Sequence, residues 1–205
     1  KAFQVIGILL VLALALALPA GAQRVAEEEL RSADREIVFE NYSGPHARID
    51  TAEEIKAIGF LLAESLAQDG RTGRFLTKYR ILRALDPAEQ GKFDADILSI
   101  EAEAQVDHID NVRRILAGYL EGAFRYSAED ARTLARFATI YNAVFRGNVE
   151  YLGSRYKGVV LQHLSRENAG LSTKYFEWPG ATRLLVPLTH GAGEGVLGSL
   201  STSEL

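Results

Sequence analysis

The sequence predicts an α+β fold, a mixed sheet of about four strands with a helical hairpin and further helices packed on it, and three observations lead there. Two adjacent stretches, residues 107–124 and 127–146, repeat apolar side chains at the three-and-four spacing of an amphipathic helix and are joined only by Arg125 and Tyr126. Short runs rich in β-formers, at 36–42, 78–85, 95–100 and 183–188, are each bounded by turn residues. Long helical connections between such runs favour parallel as well as antiparallel neighbours, hence a mixed sheet.

In chain order, residues 1–22 have a cationic start, an unbroken apolar stretch, a break at Pro19 and small residues at Ala20 and Ala22. This is the pattern of a secretory signal, with cleavage expected between Ala22 and Gln23. The apolar stretch, Val5 to Leu18, is shorter than the roughly 20 residues that span a bilayer, so a retained anchor is the lesser reading and no membrane span is expected after cleavage. Residues 23–35 form a polar lead-in, and 36–188 hold the elements of a single globular domain. Residues 36–42 (EIVFENY) read as a first strand ended by Ser43-Gly44-Pro45. Thr51 and Glu54 have the spacing of a capping box, which starts a helix whose stripe of Ile55, Ile58, Leu62 and Leu66 runs to a left-handed stop at Asp69-Gly70.

Residues 75–85 fit both helical and alternating periodicity; the glycines before and Asp86-Pro87 after favour a strand over 78–85. A second short strand follows at 95–100. In the helical hairpin, Ile109, Val112, Leu116, Tyr119 and Ala123 stripe one arm and Leu134, Ala138, Tyr141 and Phe145 the other, with Ser127 as N-cap and Gly147 as the stop. A third helix is expected over 149–164. Pro187, unable to donate to a ladder, puts the last strand, 183–188, on an edge or ends it there. Residues 189–205, rich in Gly, Ser and Thr, read as a tail or linker.

Composition bounds the partners. Of 205 residues, 23 are basic and 27 acidic; removing Lys1 with the leader leaves 23 − 1 = 22 basic residues and 22 − 27 = −5, with no long basic run. Nucleic acid is therefore not an expected partner. Cysteine is absent, so the fold is held by packing without disulfides.

No catalytic set announces itself. Asp107 and Asp110, one helical turn apart beside His108, have a spacing that a metal could use, but acids in a first turn also complement the helix dipole, and that reading is preferred. His46, His163 and His190 lie in dissimilar contexts, and zinc is not indicated. Gly193, Gly195 and Gly198 match the dinucleotide fingerprint formally, without its helix and distant acid, so no cofactor is expected. Arg113, Arg114 and Glu121 read as a solvated face with intrahelical charge pairs. Asn142, between Tyr141 and Val144 on a strongly apolar helix, must find partners if buried; it either ties that helix to the turn at 41–44 or touches a ligand. The residues singled out for an interaction or a structural polar site are Asn41, Tyr42, Arg113, Arg114, Tyr141, Asn142 and Arg146.

Five spaced stretches carry a resemblance: FENYSGP at 39–45, RRILAGY at 113–119, IYNAVFRG at 140–147, ENAGLS at 167–172, and WPGAT at 178–182 with VPL at 186–188. In this order they resemble the p83/100 antigen family of spirochaetes. The resemblance implies an exported, periplasmic or cell-envelope antigen whose partners are other envelope proteins, and it brings no catalytic residue with it. It also implies that this chain corresponds to the N-terminal portion of longer members, which continue into a charged segment. The expected function is that of an exported, non-catalytic envelope module. The alternative is a small-ligand or enzymatic domain with a site near Asn41, Tyr42, Arg114 and Asn142.

Overall fold

The computed structural model describes residues 37–46 and 50–188; the leader with its cleavage point, the lead-in, the tail and its glycine motif lie outside the described residues. The elements, in order, are α1 (Ala52–Asp69), β1 (Thr72–Phe75), β2 (Tyr79–Ala84), β3 (Asp94–Ile100), α2 (Ile109–Phe124), α3 (Ala128–Val144), α4 (Val149–Arg155), α5 (Gly158–Leu161), a 3₁₀ turn (Tyr175–Glu177) and β4 (Thr182–Leu188). The class is α+β, with the strands in the order β1-β2-β3-β4.

Local chemistry sets the helix ends. Thr51 Oγ1 accepts from the Glu54 N–H at 3.2 Å while the Glu54 carboxylate accepts from the Thr51 N–H at 2.7 Å, closing the expected capping box. Gly70, at φ 82°, ends α1 in the left-handed conformation that glycine adopts without strain. Ser127 caps α3 as its sequence suggests. The N-terminus of α2 has a more distant partner, because Asn41 Oδ1 accepts from the Ile109 N–H at 2.7 Å.

Helix α2 is the buried centre. Ile109, Val112, Ile115, Leu116, Ala117, Gly118, Tyr119 and Leu120 are all buried, more than one stripe, since α1, α3 and the sheet cover it from different sides. Its antiparallel hairpin with α3 is present, tied near the open end by Arg113 Nε donating to Thr139 Oγ1 at 3.1 Å. Its closest partner, however, is α1. A Cβ built on Gly59 would lie 2.0 Å from the Ile115 carbonyl oxygen, and one on Gly118 would lie 2.1 Å from that of Lys56. Two helices can approach this closely only where side chains are missing, which is what glycine supplies. On the sheet side, the Tyr119 hydroxyl donates to Asp96 at 2.5 Å, and Asp96, fully buried, is held bidentately by Arg83 at 2.9 and 2.8 Å. Burial and the Asp96 charge push the Tyr119 phenol well above its ordinary value, so it stays a proton donor.

Four expectations are corrected. The run 36–42 is not a sheet strand; its described part makes one isolated parallel bridge, Glu40 to Lys174, and Asn41 turns aside to cap α2. The missing strand is β1, which the glycines disguise as a turn. A Cβ on Gly73 would lie 2.3 Å from the Leu62 carbonyl oxygen, so glycine here allows close passage beneath α1. The sheet is antiparallel throughout rather than mixed. Ile100 pairs with Thr182, so the long helical connection leaves and re-enters at the same end of the sheet, and its length decides nothing. The helix expected over 149–164 is broken into α4 and α5. At the break the Phe93 N–H donates to the Arg155 carbonyl, the Lys157 N–H donates to the Phe93 carbonyl, and Lys157 Nζ reaches Asp94 at 2.8 Å.

Both sheet edges have their outward N–H groups occupied. On β1 the Thr72 N–H donates to Asp69 and the Arg74 N–H to Ser65 Oγ, both side chains of α1. On β4 Arg183 bonds the backbone of Asn168 and Gly170, and Leu185 bonds the side chain of Asn142 in both directions. Pro187 has no N–H to offer, in keeping with its expected edge position.

Candidate functional site

The first turn of α1, the N-terminal half of α2 and the polar side of α3 enclose an open groove of about 440 Å³. Lys56 comes from α1, Arg113 and Arg114 from α2, and Arg132 and Arg136 from α3; the carboxylates on the lining are Glu53 and Asp110. Each helix brings these groups to the groove because its other side is buried: Leu134 and Ala138 bury one side of α3, which leaves Arg132 and Arg136, four apart, on the other.

The side chains forming the walls are held in place. Arg113 lies over the Phe39 ring at 5.6 Å, donates to Thr139, and has Nη1 3.9 Å from Asp110 Oδ1. Arg114 Nη1 donates to Asn111 Oδ1 at 2.7 Å. Behind the groove, Lys56 Nζ pairs with Glu121 at 2.7 Å across the α1–α2 crossing. The expectation of a solvated face with intrahelical pairs holds for Arg113 with Asp110, but Arg113 also bonds Thr139 of α3 and is only 16% exposed, and Glu121 pairs with Lys56 of α1. Five cations against two lining carboxylates leave a positive concavity in a chain whose overall charge is −4. Such a surface attracts and orients carboxylates, phosphates or sulfates. Among the described residues its lining contains no serine, threonine, cysteine or histidine, so these residues supply neither a hydroxyl or thiol nucleophile nor an imidazole base.

Of the seven residues singled out from sequence, the groove takes Arg113 and Arg114. Asn41 caps α2, and Tyr42 packs edge-on against His46 and Tyr175 with its hydroxyl donating to the Pro45 carbonyl. Tyr141 is fully buried and accepts from the Tyr156 hydroxyl at 3.2 Å. Arg146 donates to the carbonyls of Glu167 and Ala169, holding the end of α3 to the loop before β4. Asn142, 2% exposed, has a structural partner, but a different one from that expected. Its Oδ1 accepts from the Leu185 N–H, and its Nδ2 donates to the carbonyls of Leu185 and Ala138, all at 2.8 Å. The amide thus stands in for one residue of a neighbouring strand, and Asn41, Tyr42, Arg114 and Asn142 are not brought into one cleft. His108 Nδ1 caps α2 by accepting from the Asp110 N–H at 3.2 Å.

Lys56, Arg132 and Arg136 escaped the sequence reading. The available signal was the four-residue spacing of Arg132 and Arg136 on a polar face; nothing local tells that this face meets the start of α1.

A family model described as Borrelia P83/100 protein matches residues 27–205, and no curated protein and no solved structure matches the chain.

Proposed function

The chain belongs to the Borrelia P83/100 protein family, and on that premise we propose that it is an exported, non-catalytic module of the cell envelope that works by binding another envelope protein. The observation that carries this reading is the arginine-lined groove between α1, α2 and α3. Its shape is open and its chemistry is that of charge recognition, which suits an acidic segment of a partner better than a small molecule enclosed on all sides. The leader pattern at 1–22 supports export, and a groove lined, among the described residues, by arginine, lysine, carboxylates and alanine supports binding by charge.

The test has two arms. Recovery of the chain from the periplasmic or envelope fraction with Gln23 as first residue supports export, and an intact leader in membranes refutes it. For binding, envelope extract is passed over the immobilised protein and over a variant carrying Arg132→Glu and Arg136→Glu. Loss of a captured partner in the variant, with its melting temperature unchanged, supports the groove. Capture that is indifferent to the reversal and to salt refutes it.

A further inference from the structure

On the sheet face opposite Tyr119 and Asp96, the antiparallel register lines up Arg74 of β1, Arg80 of β2, Ser99 of β3 and Arg183 of β4 in one transverse row. Ser99 is buried, and Arg80 and Arg183 are half-buried. Neighbouring strands lie about 5 Å apart, so these arginines stand well inside the distance at which like charges repel. Two acids lie near them: Glu101, whose Oε1 accepts from Arg80 Nε at 3.2 Å, and Asp69 at the end of α1, which acts on Arg74 and whose Oδ1 accepts from the Arg71 N–H at 3.2 Å. Arg183 donates through Nη1 to the Thr182 carbonyl at 2.9 Å. The remaining guanidinium donors of Arg80 and Arg183, and all those of Arg71 just before β1, have no protein acceptor among the described residues.

His163 completes the cluster. It lies two residues beyond α5, which packs on β3, and the turn that follows it is tied to the row by the Arg183 N–H donating to the Asn168 carbonyl at 2.8 Å. Burial and then the charges of Arg71, Arg80 and Arg183 hold its pKa below the usual histidine value. Arg183 is likewise held below the ordinary guanidinium value, by burial and by Arg80, against the opposing influence of Glu101. Three guanidinium groups and an imidazole, with Glu101 bonded to Arg80 and Asp69 to the backbone of Arg71 and Thr72 and beside Arg74, destabilise one another unless something negative joins them.

We propose that Arg71, Arg80, Arg183 and His163 form a binding site for a tetrahedral oxyanion, phosphate or sulfate, either free or carried as a monoester on a larger molecule. The planar forks of the arginines present paired N–H donors of the geometry such an anion accepts, and Ser99 backs the row between Arg80 and Arg183. This site is built from the sheet, the residue before β1 and the turn after α5, independently of the groove on the helical layer. Anion binding favours the imidazolium, so affinity rises as pH falls through the His163 titration, with Arg71, Arg80 and Arg183 as the charges acting on it.

The chain has four histidines, so the imidazole signals in a proton–carbon correlation spectrum are few, and His163→Gln identifies the one that matters. Sodium phosphate and sodium sulfate are titrated at constant ionic strength against chloride. The expected result is a saturable shift of the His163 signal and a rise in its titration midpoint. In Arg71→Gln with Arg183→Gln the affinity falls roughly tenfold to a hundredfold, whereas Arg132→Gln with Arg136→Gln leaves it unchanged. The single variant Arg71→Gln, at an exposed position, gives a smaller loss in the same direction and guards against misfolding of the double variant. No saturable shift beyond that of chloride with phosphate, with sulfate or with phosphatidic acid vesicles, a response that survives the Arg71/Arg183 substitutions in a folded protein, or one abolished by the groove pair overturns the proposal. Phosphatidylcholine vesicles with and without phosphatidic acid separate the sources: a His163 response to the acidic vesicles alone identifies a carried monoester, and a response to inorganic phosphate identifies the free ion.

Discussion

Replacing Asn142 by alanine should be among the most costly single changes in this fold, although it removes only one amide. The side chain makes three hydrogen bonds of 2.8 Å, two of them to the backbone of Leu185, which is fully buried. Without the amide, the Leu185 N–H and C=O lose these partners at a fully buried residue. Each buried group left unpaired costs about 1–3 kcal/mol, so the pair costs about 2–6. Alanine is the better helix former by about 0.7 kcal/mol, which offsets part of the loss. The third bond, to the Ala138 carbonyl, is not counted, since that oxygen faces the helical N–H of residue 142. The net expectation is about 1–5 kcal/mol. Urea unfolding followed by the fluorescence of Trp178, the single tryptophan and fully buried, reads this directly. Asn142→Asp should be at least as harmful near neutral pH, because it turns a carboxylate oxygen toward the two carbonyls. A loss below about 1 kcal/mol for Asn142→Ala, with an unchanged slope, would refute the reasoning by showing that the β4 edge is satisfied in some other way.

Other outcomes follow from the same geometry. Arg83→Leu leaves the buried carboxylate of Asp96 with only Tyr119 as a side-chain partner and should cost about 3–5 kcal/mol, with part of the loss recovered on adding Asp96→Leu, as urea midpoints of the two variants will show. Gly118→Ala forces α1 from α2 and should cost about 1–3 kcal/mol by overpacking, whereas Gly91→Ala, in open space, should cost less and act only through its positive φ. Because His163 titrates lower in the folded chain than in the unfolded one, the unfolded state takes up its proton first as pH falls; the contribution is intact above about 6.5 and is lost through the folded value, so His163→Gln should flatten the decline in urea midpoint between about pH 7.5 and 5.5.

How far the fold could be read in advance depended on the range of the interaction. The capping box at Thr51 and Glu54, the Gly70 stop and the Ser127 cap were legible because donor and acceptor are within a turn of each other. Strands β2, β3 and β4 were legible from β-forming runs between turn residues. β1 was not, since Gly73 is required by the backbone of α1 passing over it, a tertiary demand that locally looks like a turn. Asn142 was recognisable as an amide needing partners; its partner, 43 residues further on, was not. The groove was half visible: Arg113 and Arg114 stand together in the sequence, but Lys56 joins them only because Gly59 and Gly118 let α1 and α2 touch.

The closed edges of the sheet bear on how copies of the chain can associate. A strand from a neighbour adds to a sheet by pairing with free backbone donors, and Thr72, Arg74, Arg183 and Leu185 have none left, nor has Pro187 any to give. Growth of an extended cross-strand polymer from β4 would first require the end of α3 to lift and withdraw the amide of Asn142, and from β1 the withdrawal of Asp69 and Ser65. At the β4 edge one helical side chain therefore acts as a gatekeeper against fibre formation, and crowding the folded protein into a thin layer leaves helix faces and loop ends as its means of self-contact.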